Sequence, residues 1–304
     1  MLRVFSTILL FAGLIVSSAC SPDRSAVATI SQFQSVDTTI QSRGVAVPVT
    51  FVVPVSDEPR KFPIVIMAHG HGGSREEAGG FRLVAESLAK RGVASIRIDF
   101  PGCGDSSESF TNNNLSNMLL DLQSARRFAR SRTDVDNERA GLLGFSMGGR
   151  LTVLLSEIDP SYKVMALWAP AVANGAEREL ASLGGADIYF TLREEAQEKG
   201  LAEYTTQWGT KLQLGYRWFT DLEQTTPLEA LAKFTGPLLV IYGDQDKAVP
   251  PWISEAAIEA AQSSSEVVRH VIEGAGHGLG FYSEQPAVAA EVVNSTVEFF
   301  SQRL

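Results

Sequence analysis

A serine hydroxyl is a weak nucleophile at neutral pH. It becomes a useful one only beside a base, an acid that orients the base, and donors for a developing oxyanion. The run GLLGFSMGGRLT, Gly141 to Thr152, sets Ser146 between Gly144 and Gly148 where an apolar, strand-like segment gives way to a helical one. Such a G-x-S-x-G turn is sharp enough to expose the serine oxygen at the rim of a sheet. The chain has four histidines, His69, His71, His270 and His277. His270 falls inside a strand-like run and reads as a packed residue. His277, in GAGHGLG, follows the last strand in a loop and lies C-terminal to the serine, as the order serine, acid, histidine demands. His277 is therefore the candidate base. The acid should follow a strand between the two, and YGDQDKAVP offers Asp244 and Asp246. Asp244, directly after the strand glycine, suits a turn-stabilising role. Asp246, two residues on, can point from the loop toward the histidine and is the favoured acid, with Asp244 as the alternative.

Oxyanion donors should be backbone N–H groups, one of them from the residue after the nucleophile, Met147. The second should come from another strand-end loop. HGHGGS, His69 to Ser74, fits because its glycines leave the backbone open, and the N–H of His71 is the candidate. The pair His69-x-His71 also has the look of metal ligands, but the motif holds no Asp, Glu or Cys to complete a site. Neither a metal nor a cofactor is expected.

Strands and helices must alternate to bring these residues together. FPIVIMAHG, from Phe62, is a continuous apolar run ending in glycine, as in a strand buried on both faces of a parallel sheet. Val45–Pro54, Ala94–Phe100, Ala140–Ser146, Val164–Pro170, Pro237–Gly243 and Val267–Gly274 repeat the strand pattern. Helix-period segments lie between them, at about 74–91, 115–132, 147–157, 252–262 and 286–303. That alternation means an α/β fold with a mostly parallel sheet, whose ligands bind at the carboxyl ends of its strands. Residues from about 171 to 234 break the rhythm. They hold helix-like pieces without a clear strand and read as a lid inserted over the sheet. Its aromatics Tyr204, Trp208, Tyr216, Trp218 and Phe219 are candidates to line a pocket. Tyr216, Trp218 and Phe219, on one short helix, are the substrate-binding candidates.

With 304 residues, 44% of them hydrophobic, the chain can bury a large core. Its net charge of −9, with basic residues scattered, offers no footprint for nucleic acid. The N-terminal MLRVFSTILLFAGLIVSSAC has the order of a signal peptide: a basic start, an apolar stretch, then small residues before Cys20. Residues 1–19 are expected to be removed, and 20–29 to form a tether. The small-small-Cys ending resembles a bacterial lipobox, which would make Cys20 a lipidated first residue and the protein an anchored resident of the periplasm or cell envelope. Ser17 departs from that pattern, where a larger apolar residue is usual. The only other cysteine is Cys103, and a Cys20–Cys103 bridge is the competing reading.

HGHGG, DFPGCGDS, GFSMGG, GDQDKAVP and GAGH together resemble, in order and spacing, the α/β-hydrolase family. From about Phe62 to Phe300 the chain looks most like bacterial feruloyl (cinnamoyl) esterases and their prolyl-peptidase-like relatives. The resemblance implies a serine-ester mechanism, an eight-stranded sheet and a lid after the sixth strand. Cys103 stands where such relatives often carry another small or polar residue, and the lid matches none of them residue by residue, so their substrate-binding residues do not transfer. The expectation is a serine hydrolase that cleaves small-molecule carboxylic esters through an acyl-enzyme. A peptidase acting on short peptides and a non-catalytic binding lipoprotein are the alternatives.

Overall fold

The computed structural model describes residues 32–176, 183, 185–206, 208–283 and 285–304. The expected signal peptide, the tether and Cys20 lie outside the described residues. Among those described, no helix is long and apolar enough to cross a membrane.

Four central strands are buried at every position: β3 (Phe62–Ala68), β4 (Ala94–Ile98), β6 (Val164–Trp168) and β9 (Leu238–Gly243). With β1 (Phe33–Ser42), β2 (Val45–Pro54), β5 (Val135–Phe145) and β10 (Val267–Ile272) they form an eight-stranded sheet in the order β1-β2-β4-β3-β5-β6-β9-β10. From β4 to β10 every pairing is parallel, and only β1 with β2 and β2 with β4 run antiparallel. Continuous apolar strands require cover on both faces. Helices α1 (Gly80–Ala89) and α8 (Pro286–Arg303) supply it on one side, where Phe81, Trp168 and Phe300 share a core. Helices α2 (Leu115–Ser131), α3 (Met147–Ile158) and α7 (Pro251–Ala260) supply it on the other, with Met118, Leu151 and Ile253.

Strand β1, FQSVDTTIQS, was not expected from the sequence. It is an edge strand exposed from position 34 to 39, so no apolar alternation marks it. Its full-length ladder with β2 holds it in place, and the Thr50 hydroxyl donates to Asp37 Oδ1 at 2.6 Å.

The insertion follows β6, the sixth strand. It contains α4 (Ala186–Lys199), α5 (Tyr216–Glu223) and α6 (Pro227–Leu231), and also two strands, β7 (Ala202–Thr205) and β8 (Lys211–Leu214), paired as an antiparallel hairpin. The expectation of a strand-free insertion is thereby corrected. Four-residue strands reading AEYT and KLQL carry too little alternation to register as a period. The hairpin closes through a hydrogen bond from Thr206 N–H to Thr210 C=O at 2.8 Å.

Candidate active site

Strand β5 delivers Ser146 on a turn that few residues tolerate. Ser146 has φ 54° and ψ −117°, a left-handed conformation costly for a residue with a side chain. The turn survives because its neighbours are glycines. A Cβ on Gly148 would run into the carbonyl oxygen of Ala68 in β3, and one on Gly144 into the carbonyl of Gly148. Helix and strand thus meet backbone to backbone. The serine N–H donates to Trp168 C=O at 2.9 Å, and its own carbonyl accepts from Gly149 and Ala171.

His277, in the loop after β10, reaches this turn. Its Nε2 lies 3.0 Å from Ser146 Oγ and its Nδ1 lies 2.7 Å from Asp246 Oδ2. The Asp246 carboxylate is shielded from solvent, and its Oδ1 accepts the N–H groups of Ala248 at 2.9 Å and Val249 at 2.8 Å. An acceptor-only group locked by two backbone donors fixes the proton on His277 Nδ1 and leaves Nε2 free to accept from the serine. Asp244 turns elsewhere: its Oδ1 accepts Gly274 N–H at 2.7 Å and closes the turn after β10.

The two proposed oxyanion donors sit at neighbouring strand ends. Met147 opens α3, and the first-turn N–H groups of a helix have no intrahelical acceptor. His71 follows β3, and its ring is boxed by Phe110 at 5.3 Å, Trp218 at 5.6 Å and Tyr204 at 6.2 Å. His69 is built into the loop. Its Nδ1–H donates to Gly70 C=O at 2.7 Å and its Nε2 accepts Phe100 N–H at 3.2 Å. Burial holds the ring neutral, with its pKa lowered to about 4. Cys103 packs in the adjacent loop at 4% exposure, and burial pushes its thiol up to about 12, so it offers no nucleophile.

Of the three substrate-binding candidates on α5, only Trp218 approaches the site, through His71. Phe219 is 0% exposed and packs edge-on against Tyr189 inside the insertion, and Tyr216 lies under the Arg193 guanidinium. Phe219 is a correction: helical spacing groups it with residue 216 on one face, but its ring turns into the insertion's own core. The ring of the insertion that meets the catalytic histidine is Trp208, in the hairpin turn, 6.2 Å from the His277 ring and stacked at 22°.

Two clefts flank the hairpin. One, of about 420 Å³, is lined by Trp208, Gln245, Lys247, His277 and Tyr282. The other, of about 280 Å³, lies between Gly102, Phe110 and strand β8 at Leu212. The hairpin borders both, a feature with no sequence signal beyond its aromatic residues. The insertion is tied to the nucleophile helix by Arg150, one turn after Ser146. Its guanidinium donates to the carbonyls of Ala173, Gly175 and Leu222 and to Thr225 Oγ1.

A family model described as "Alpha/beta hydrolase family" matches residues 65–292. Among curated relatives, Esterase EstD of Thermotoga maritima is 25% identical over 230 residues, covering 71% of this chain and 53% of EstD. An uncharacterized 31.7 kDa protein from the traX-finO intergenic region of Escherichia coli is 25% identical over 251 residues, 74% of this chain and 85% of that protein. Among solved structures, Est1E from Butyrivibrio proteoclasticus with bound ferulic acid superposes with a TM-score of 0.70 at 23% identity, covering 88% of this chain and 98% of Est1E. A dienelactone hydrolase from Anabaena variabilis superposes with a TM-score of 0.61 at 20% identity, covering 90% and 99%.

Proposed function

The chain belongs to the alpha/beta hydrolase family, and on that premise we propose that it is a serine hydrolase that cleaves carboxylic esters through an acyl-enzyme. The observation that carries the reading is the unbroken run of hydrogen bonds from Ser146 Oγ through His277 to Asp246, at 3.0 and 2.7 Å. Ser146 Oγ attacks the ester carbonyl while His277 Nε2 takes its proton. Asp246 holds the imidazole and stabilises its charged form. The N–H groups of His71 and Met147 receive the charge on the tetrahedral oxygen. His277 then gives the proton to the departing alcohol, and water, activated by the same nitrogen, releases the acid and restores the serine. Relatives named as esterases support the ester over the amide.

Export and anchoring through a lipid on Cys20 are part of the proposal, supported by the signal-peptide order and the small-small-Cys ending. Wild-type protein should partition with membranes and Cys20→Ala should not. A soluble wild type carrying a Cys20–Cys103 disulfide would overturn the anchor.

The test of the chemistry is covalent labelling and turnover on one preparation. A fluorophosphonate should label the wild type once per chain at Ser146, and Ser146→Ala should take up none. A panel of acetyl esters, hydroxycinnamate esters and aminoacyl amides should show esters cleaved fastest. Amides cleaved faster would make it a peptidase, and an unlabelled wild type would make it a binding protein.

A further inference from the structure

Behind the oxyanion loop lies a carboxylate that the reaction above does not use. Glu77 is 1% exposed, and both of its oxygens are engaged. Oε2 accepts the N–H of Gly70 at 2.8 Å, and Oε1 accepts the hydroxyl of Tyr282. Gly70 immediately precedes His71. Tyr282 lies five residues beyond His277, in a tight turn closed by Leu279 N–H to Gly276 C=O at 3.2 Å and Phe281 N–H to Gly278 C=O at 2.9 Å. One side chain therefore joins the loop after β3 to the loop after β10. A third segment is drawn in, since Phe145, next to the serine, has its ring 4.9 Å from His277 and stacked 6.5 Å from Tyr282.

The backbone at Glu77 is shaped for this role at a cost. Glu77, Ala78 and Gly79 adopt φ of 44°, 50° and 87° in succession, and the first two are residues that rarely enter the left-handed region. Strain of this kind persists where the surroundings enforce it, most often beside active sites. A carboxylate taken out of water is a poor choice for stability alone. Burial raises its pKa to about 7.

We propose that Glu77 is a positioning residue that holds the oxyanion loop and the histidine loop in one register, with one carboxylate oxygen on each. Its hydrogen bonds go to Gly70 and Tyr282, and it acts on Ser146 and His277 through them. The role rests on the ester-hydrolase reading. With that reading, Glu77 fixes the distance between the donor of the oxyanion site and the base that moves the proton. A displacement of about an ångström between such groups costs on the order of a hundredfold in rate.

The test uses the full-length chain with p-nitrophenyl acetate, rates being normalised to the sites titrated by a fluorophosphonate. Glu77→Ala should still be labelled, but more slowly, with kcat lowered by about tenfold or more and KM nearly unchanged, since the transition state and not the substrate is misplaced. Glu77→Gln keeps an acceptor for Gly70 N–H and a donor for the Tyr282 oxygen, so it should recover most of the wild-type kcat. Tyr282→Phe should fall between the two. A labelled Glu77→Ala turning over at the wild-type rate would sink the role, as would a folded Glu77→Gln no better than the alanine variant. If the alanine variant does not fold, Tyr282→Phe decides: wild-type kcat in it overturns the proposal. An inert, unlabelled wild type would instead remove the esterase reading on which the role stands.

Discussion

The strand-end loops and the insertion at residues 171–234 both border Ser146, but different forces hold them. At the strand ends the backbone decides. Gly148 meets the carbonyl of Ala68 with no room for a side chain, Ser146 is left-handed, and Asp246 is locked by two N–H groups. In the insertion side chains decide: Arg150 gathers three carbonyls from two segments, and Phe219 packs on both Tyr189 and Trp218. Backbone constraints accept only certain residue types at fixed spacing. Packing constraints accept many sequences of suitable size and polarity.

The comparison breaks first if the strand-end residues prove replaceable. Ser146→Ala should lower kcat by on the order of 10⁶, because a triad acts as a unit. Asp246→Asn should cost on the order of 10⁴ with KM little changed, through loss of the correct histidine tautomer. Asp244→Asn should leave kcat near the wild-type value and cost about 1 kcal/mol of stability, from the weakened hydrogen bond to Gly274 N–H. Steady-state kinetics beside urea denaturation separate the two. The reverse pattern would move the acid to Asp244.

Arg150→Met probes the other side. The substitution keeps the apolar stem but strands several buried carbonyls, so stability should fall by about 3 kcal/mol. KM should rise more than kcat falls, since the insertion loosens while the Ser146–His277 geometry stays. A kcat loss matching that of Asp246→Asn would mean the insertion, too, is part of the backbone-fixed machinery.

The same contrast explains what could be read from the sequence. The central strands of the parallel run were legible because burial on both faces demands continuous apolar residues, and the elbow was legible because only glycines allow that approach. Ser146, Asp246 and His277 were named from type and order, and the histidine lies within hydrogen-bond distance of the other two. Strand β1 escaped because it does not alternate, and the hairpin because its four-residue strands alternate too briefly to register as a period. Phe219 was placed over the site because helical spacing tells which residues share a face, not what the face meets. Glu77 was invisible for a related reason: nothing in SREEAGG distinguishes a buried carboxylate from the half-exposed, ion-paired one beside it.

Glu77 also gives the strand-end loops a pH signature. Its folded pKa of about 7 stands above an ordinary 4.5 because burial disfavours the charge. Between those values the folded chain binds more protons than the unfolded one, so stability falls as pH rises from about 4.5 to about 7, then levels off. The loss is on the order of 3 kcal/mol at most. Glu77→Gln cannot titrate, and urea midpoints for the two proteins should diverge over that window with the wild type losing ground. Parallel midpoint curves would mean that the carboxylate is stabilised in place and ionised throughout.

The smallest effect separates the rings of the insertion from one another. Trp208 is 66% exposed in the hairpin turn and stacks toward His277, whereas Phe219 is 0% exposed and packs within the insertion. An exposed ring beside a base can lie against a planar acid or alcohol group of the substrate, and offset stacking is worth about 0.5 to 1.5 kcal/mol beyond the area buried. Trp208→Ala should therefore raise KM for aryl-acid esters by up to about tenfold, with little change for acetyl esters or in stability. Phe219→Ala should cost about 3 kcal/mol or more of stability from the cavity it leaves. Its effect on the two substrates should be equal, because the ring reaches neither. Should Trp208→Ala weaken acetyl and aryl esters alike, the hairpin turn would be holding the histidine loop rather than the substrate, and the insertion would join the strand ends as scaffold.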